Sequence, residues 1–268
     1  MLDEYRNYLI SAGQSDSTIH QRMVQLNRLS RFLDGDLAKA TEQDLDRFMA
    51  TELRVASPNY RKSVRSALRG FYAWATKRGH IAKDPAYQMP SVRIPRPLPR
   101  PVPEDILSEA YANASVEVQT MILLGAMGGL RLSEITHLHM ADREVGVLRV
   151  KGKGGKYRII PINHTLAEAL DRMEAIRPFG YYFVNPATNA PWSISYVGKH
   201  IRTLLPPKYA AHSLRHRAAS VAYGATKDIR AVQELLGHAS VATTQLYTAI
   251  TSDDLKAVAD ATDWKMAA

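Results

Sequence analysis

The chain contains no cysteine. That absence excludes disulfides, thiolate metal sites and cysteine nucleophiles, and it fits a reducing compartment. No apolar run approaches the roughly 20 residues needed to cross a bilayer. The opening Met1-Leu2-Asp3-Glu4 is acidic and polar, unlike the basic start of a signal peptide. A soluble protein of the cytoplasm, with no membrane partner, is therefore expected. The phosphate-loop pattern Gly-x-x-x-x-Gly-Lys-Ser/Thr and the zinc-protease pattern His-Glu-x-x-His are also missing. Acid is scarcer than base: 26 Asp and Glu face 35 Lys and Arg, a net charge of +9. The excess is uneven, with 17 basic against 10 acidic residues over 1–102 and 18 against 16 over 103–268. A basic N-terminal third fits a polyanionic partner, and a merely basic soluble protein is the plain alternative.

What is present divides the chain. Its 268 residues, 46% hydrophobic, suffice for one large domain or two small ones. Prolines 95, 97, 99, 101 and 103 alternate with other residues in Ser91 to Pro103. Proline neither continues a helix nor donates to a sheet, so 91–103 reads as an extended linker between domains 1–90 and 104–268. The first domain reads as all helical, with helices near 2–12, 17–33, 41–53 and 58–78. The last has Ser57 as N-cap, Pro58 at its first position and Gly79 as its stop. At 100° per residue, Val64, Ala67, Leu68, Phe71, Trp74 and Ala75 share one face. Arg61, Lys62, Arg65 and Arg69 fall on an adjoining arc without interleaved acids, a candidate DNA-contacting face. The second domain reads as helices near 104–113, 116–127, 132–140, 165–176, 194–204, 213–223, 228–236, 241–249 and 252–261. Two strands, Val145–Val150 and Tyr157–Ile162, flank the glycine-rich turn Lys151 to Lys156. The fold class is mainly α with a small antiparallel β-sheet, an α+β arrangement.

Four places in the second domain carry polar groups in settings that invite chemistry. In Gly128-Gly129-Leu130-Arg131-Leu132-Ser133-Glu134, Arg131 sits among apolar residues at a helix junction and needs an anion. A salt bridge to Glu134 satisfies that need as well as a substrate does. The hairpin tip holds Lys151, Lys153 and Lys156, either a solubilising turn or a mobile proton donor. His212 and Arg215 lie three apart at a helix start and share a face, a pairing suited to a phosphodiester. Without a nearby carboxylate in sequence, His212 and His216 make a poor metal site. Finally, His238 and Tyr247 are nine residues apart; on one helix they would point opposite ways, but Gly237 and Ser240 predict a break between them. Arginines to neutralise non-bridging oxygens, a tyrosine to attack and a lysine to protonate a leaving oxygen are an inventory for metal-free phosphodiester chemistry.

The order of these motifs resembles the tyrosine recombinases, which include phage integrases and the Xer chromosome-dimer resolvases. The carriers are Gly-Leu-Arg131-Leu-Ser-Glu134, Gly-Lys153-Gly, His212-Ser-Leu-Arg215-His, Leu-Leu-Gly-His238 and Tyr247. The resemblance spans the whole chain and implies a helical core-binding domain, a linker and a catalytic domain. It implies that Tyr247 attacks the scissile phosphate, giving a 3′-phosphotyrosyl enzyme and a free 5′-hydroxyl. It further implies that Arg131 and Arg215 clamp the phosphate and that His212 assists as acid/base. His238 would hold the phosphate or the tyrosine hydroxyl, Lys153 would be general acid with Lys151 and Lys156 as rivals, and Glu134 would orient the site. Neither metal nor other cofactor is implied. The implied partners are double-stranded DNA sites, further copies forming a tetramer on synapsed DNA from a free monomer, and a directionality factor.

The pattern also departs from relatives. The core-binding motif starts almost at Met1, so no arm-binding domain is expected. Arg217-Ala218-Ala219 follows His216 where relatives often carry a small-aromatic pattern, a change expected to affect packing. Thr248-Ala249 follows Tyr247 where relatives often have histidine. The helix at 252–261 is expected to dock on a neighbouring protomer. The ending Met266-Ala267-Ala268 resembles a bacterial degradation tag, with a frayed tail as the alternative. Integration and excision of a phage or mobile element is the leading use, Xer-type dimer resolution the second, and a non-enzymatic DNA-binding regulator the alternative of another class.

Overall fold

The computed structural model describes residues 1–94, 100–152, 155, 157–237 and 252–264, without the side chains of 252–255. The chain divides into two compact units, Met1–Pro97 and Leu98–Ala268.

Among the described residues, the first unit holds four α-helices, α1 (Leu2–Ser11), α2 (Asp16–Phe32), α3 (Glu42–Thr51) and α4 (Pro58–Lys77), and a 3-10 turn, Leu37–Lys39. Each start is written locally. Ser15, Thr41 and Ser57 accept from the backbone N–H three residues on, and Thr41 with Asp44 completes a capping box. The predicted apolar face of α4 is buried in full, and Tyr72 joins it. Tyr72 lies beside that face, and its hydroxyl reaches the Leu37 carbonyl at 3.1 Å, which satisfies the polar end of a buried ring. Leu26, Leu29, Leu45, Phe48 and Phe71 complete a core with no accessible surface.

The second unit wraps helices around α6 (Val116–Ala126), whose residues from Val118 to Ala126 are buried apart from Gln119. Around it lie α5 (Glu104–Ala112), α7 (Leu132–Thr136), α8 (His164–Ile176), α9 (Ile194–Leu204), α10 (Ala211–Thr226), α11 (Ile229–Leu236) and α12 (Ser252–Asp260). A three-stranded antiparallel sheet, β1 (Arg143–Glu144), β2 (Val147–Lys151) and β3 (Tyr157–Pro161), runs in sequential order. Opposite pairs Leu148↔Ile160 and Val150↔Arg158 put one face inward.

Two sequence expectations change. Val145 is fully exposed in the turn between β1 and β2, which pair Glu144↔Val147, so the strand starts at Val147. The helix expected over 132–140 ends at Thr136. There the Thr136 hydroxyl and the His137 ring bond to the Ser133 carbonyl, at 3.1 and 2.9 Å, and compete with the helical ladder. A short 3-10 turn, Met140–Asp142, follows. Helix α12 packs on its own unit, where Val258, Ala259 and Trp264 are buried and Trp264 stands edge-on to Tyr111 at 5.0 Å. An apolar helix face must be covered, and in the single chain its own unit supplies the cover. The helix expected at 241–249 and the Ala-Ala ending lie outside the described residues.

Candidate active site

The chain turns from α6 to α7 through Gly128 and Gly129. Gly129 has φ +63°, and a Cβ there would stand 2.6 Å from Leu236 Cδ2. Only glycine lets this loop lie against α11 and put Arg131 at the start of α7. Glu134, one turn into α7, folds back so that its carboxylate accepts from the Arg131 backbone N–H at 2.8 Å and from Arg131 Nη1 at 2.7 Å. The salt bridge weighed in the sequence is therefore present.

A third residue, absent from the sequence-derived set, dominates the carboxylate's other side. Arg158 on β3 donates from Nη1 and Nη2 to the two Glu134 oxygens at 2.9 and 2.8 Å, a bidentate pair. Arg158 alternates with exposed Tyr157 and Ile159 and faces inward beside Ile160. A cation on the inner face of a strand is a signal that periodicity alone could have exposed. Arg215 of α10 completes the group, with Nη1 3.9 Å from Glu134.

All three guanidiniums also converge on the end of α11. Arg158 Nε donates to Leu235 O at 2.9 Å, Arg215 Nη2 to Leu236 O at 2.6 Å, and Arg131 Nη2 to Gly237 O at 3.2 Å. Arg215 Nη1 reaches Gly129 O at 2.5 Å. Helix α11 stops because Gly237 takes φ +61°, and its last carbonyls, the negative end of the helix dipole, are left for cations. Three guanidiniums face one carboxylate, so the centre keeps a positive surplus. The Arg215 and Arg158 side chains are 3% and 6% exposed, whereas that of Arg131 is 32% exposed and meets solvent.

Burial alone would raise the pKa of Glu134, but hydrogen bonds from Arg158 and the Arg131 backbone, with the charge of Arg158, outweigh it and hold the carboxyl below its ordinary value. Burial, then repulsion from Arg131, pushes Arg215 down to about 10, so it stays cationic at neutral pH. His212 lies one helical turn from His216, ring centroids 4.5 Å apart and edge to face. Burial, then His216, Arg215 and Arg131, lowers the His212 pKa below 6.5. The ring is neutral at pH 7 and free to take a proton.

The structure thus brings Arg131, Glu134, His212 and Arg215 into one centre and adds Arg158. Lys153, His238 and Tyr247 lie outside the described residues. Arg217, expected to act in packing, is buried and bonds to two backbone carbonyls. In the first unit, Lys62 and Arg69 are exposed and Arg61 is half-buried. Arg65 donates to the Met89 carbonyl at 2.6 Å and so also serves the fold.

Fold and centre together define an arginine-rich site in a mainly helical α+β unit that follows an all-helical one. Residues 102–253 match the phage integrase family, and residues 2–79 match the phage integrase N-terminal SAM-like domain. Tyrosine recombinase XerC of Xylella fastidiosa is 34% identical over 248 residues, covering 85% of this chain and 82% of its own. Tyrosine recombinase XerC of a Mycobacterium species is 31% identical over 296 aligned positions, covering 97% of both. A lambda integrase dimer bound to a COC′ core site shares the fold, with a TM-score of 0.75 at 21% identity over 94% of this chain and 97% of that one. The chain belongs to the phage integrase family and is a tyrosine-type recombinase.

Proposed function

We propose that this protein is a site-specific recombinase that cuts and rejoins double-stranded DNA through a 3′-phosphotyrosyl bond to Tyr247. The observation that carries this reading is the gathering of Arg131, Arg158 and Arg215 on the last carbonyls of α11, one residue before His238. A phosphate on the exposed edge of Arg131 would meet fixed donors that stabilise charge as it builds on the non-bridging oxygens. Neutral His212 can accept the tyrosine proton, and Lys153 is assigned to protonate the departing 5′-oxygen. The phosphotyrosyl ester keeps the bond energy, so a 5′-hydroxyl reverses the step without a cofactor. Incubation with nicked site DNA tests the proposal. A denaturation-resistant protein–DNA adduct supports it, and its absence favours a non-enzymatic regulator.

The first unit, as a core-binding domain, would grip DNA through Arg61, Lys62, Arg65 and Arg69. Exposed Lys62 and Arg69 make the clearest prediction. Lys62→Ala and Arg69→Ala should each weaken binding evenly across sequences and reduce the slope of log affinity against log salt by about 1. Slopes equal to wild type would remove them from the interface.

Histidine 212 predicts a pH dependence. Its folded pKa lies below its unfolded value, so protonation disfavours the native state, and the base is lost as pH falls. The acid limb of the cleavage rate should therefore lie below pH 6.5 and disappear in His212→Gln. A limb above 6.5 contradicts the assignment.

Assembly on synapsed DNA as a tetramer, from a monomer free in the cytoplasm, is part of the proposal. A lambda integrase tetramer bound to a Holliday junction has the same fold, with a TM-score of 0.74. Integration or excision of a mobile element, with a directionality factor, is one use of the reaction. Xer-type dimer resolution is the second reading, favoured by XerC relatives that align over nearly the whole chain. Recombination between two identical sites, against insertion that needs two non-identical attachment sites, separates resolution from integration in cells.

A further inference from the structure

Arg217 follows the His212-to-His216 motif on α10, and its guanidinium takes no part in the centre described above. Its side chain is 4% exposed, yet it makes four hydrogen bonds to three segments far apart in sequence. Nε and Nη2 fork onto the Glu104 carboxylate, at the start of α5, at 2.8 and 3.0 Å. Nη1 donates to Ala126 O, at the end of α6, at 2.9 Å, and to Thr262 O, just beyond α12, at 3.1 Å. The Thr262 hydroxyl is fully buried, and its one proton is shared between Met127 O at 2.9 Å and Ala259 O at 2.8 Å. Two consecutive carbonyls at the end of α6 are thus met by Arg217 and Thr262. Terminal helix carbonyls have no partner within their own helix, so outside donors fix where the helix ends. From Met127 the chain runs straight into Gly128 and Gly129, whose carbonyl holds Arg215, and on to Arg131.

We propose that Arg217 is a positioning residue for the arginine cluster. With Thr262 it clamps the end of α6, so that seating of the C-terminal segment sets where the Gly129 carbonyl and Arg131 stand. Arg217 reaches this junction from α10, two residues beyond Arg215, and ties the helix that carries one arginine to the loop that carries the other. Glu104 neutralises the buried guanidinium and aims its fork. The function of the clamp rests on the recombinase reading, whereas its geometry does not.

Two measurements on the full chain separate them. The first is hydrogen exchange without DNA in wild type, Thr262→Val, Arg217→Lys and Arg217→Ala. Thr262→Val keeps the shape and removes one donor. It should raise exchange about tenfold, the worth of one buried hydrogen bond, in peptides covering both 126–135 and 256–264, while α2 and α4 stay at wild-type rates. Faster exchange at 256–264 alone, or at neither segment, overturns the clamp. If Arg217→Ala does not fold, Thr262→Val and Arg217→Lys decide. The second is single-turnover cleavage of nicked DNA. Thr262→Val should slow the rate constant about tenfold with half-saturating DNA unchanged. A purely structural role would reduce the fraction of active protein and leave the rate constant alone, which also overturns the proposal. Wild type that forms no adduct refutes the recombinase reading, and the exchange result still judges the clamp.

Discussion

Arg215→Ala slows single-turnover strand cleavage by about 10² to 10³ at saturating DNA, the usual cost of removing a fixed donor from a centre of developing charge. Arg215 is held by two backbone carbonyls, Gly129 O and Leu236 O, from the two sides of the site. These bonds aim the guanidinium before any DNA arrives, so its contribution is made without reorganisation. Arg215→Lys keeps the charge but cannot meet both carbonyls with a planar fork, so it should remain at least about tenfold slower than wild type. DNA affinity should change little, because the proposed DNA grip of Arg61, Lys62, Arg65 and Arg69 is left intact. A variant that loses affinity and keeps its rate would make Arg215 a binding residue.

Glu134→Leu costs about 3 to 5 kcal/mol of unfolding free energy, because it removes the carboxylate that two buried arginines and one half-buried arginine surround. Glu134→Gln keeps acceptor and donor atoms but not the charge, and should cost less. The carboxyl is held below its ordinary value of 4.5, so its stabilisation is complete above that value and is lost as pH falls through the lower folded pKa. Denaturant midpoints followed from pH 7 down to pH 3 should fall more steeply for wild type than for Glu134→Gln. Parallel curves would mean that the ion cluster adds nothing to stability.

The sequence made Arg131, Glu134, His212 and Arg215 visible because each breaks an apolar context at a helix start, where side chains can turn inward. Proline and glycine marked several helix ends, as at Pro58 and Gly237. Arg158 is hidden among the apolar residues that mark β3 as a strand, although its inward position follows from the strand's two-residue period. Strand β1 has two residues, too few for any period to show. The partners of Arg217 were invisible for another reason. Glu104, Ala126 and Thr262 are brought to it by packing, and two of the three offer only backbone carbonyls, which no sequence pattern distinguishes. The docking of α12 on its own unit likewise depends on which surface is available to cover it.

The central claim is that a phosphate held by the arginine cluster is attacked by Tyr247. The most direct test digests the trapped protein–DNA adduct with protease and finds the modified residue by mass spectrometry. The account predicts a 3′-phosphate on Tyr247 and no adduct from Tyr247→Phe. A DNA strand bound to any other side chain, or an undiminished adduct from Tyr247→Phe, would contradict it.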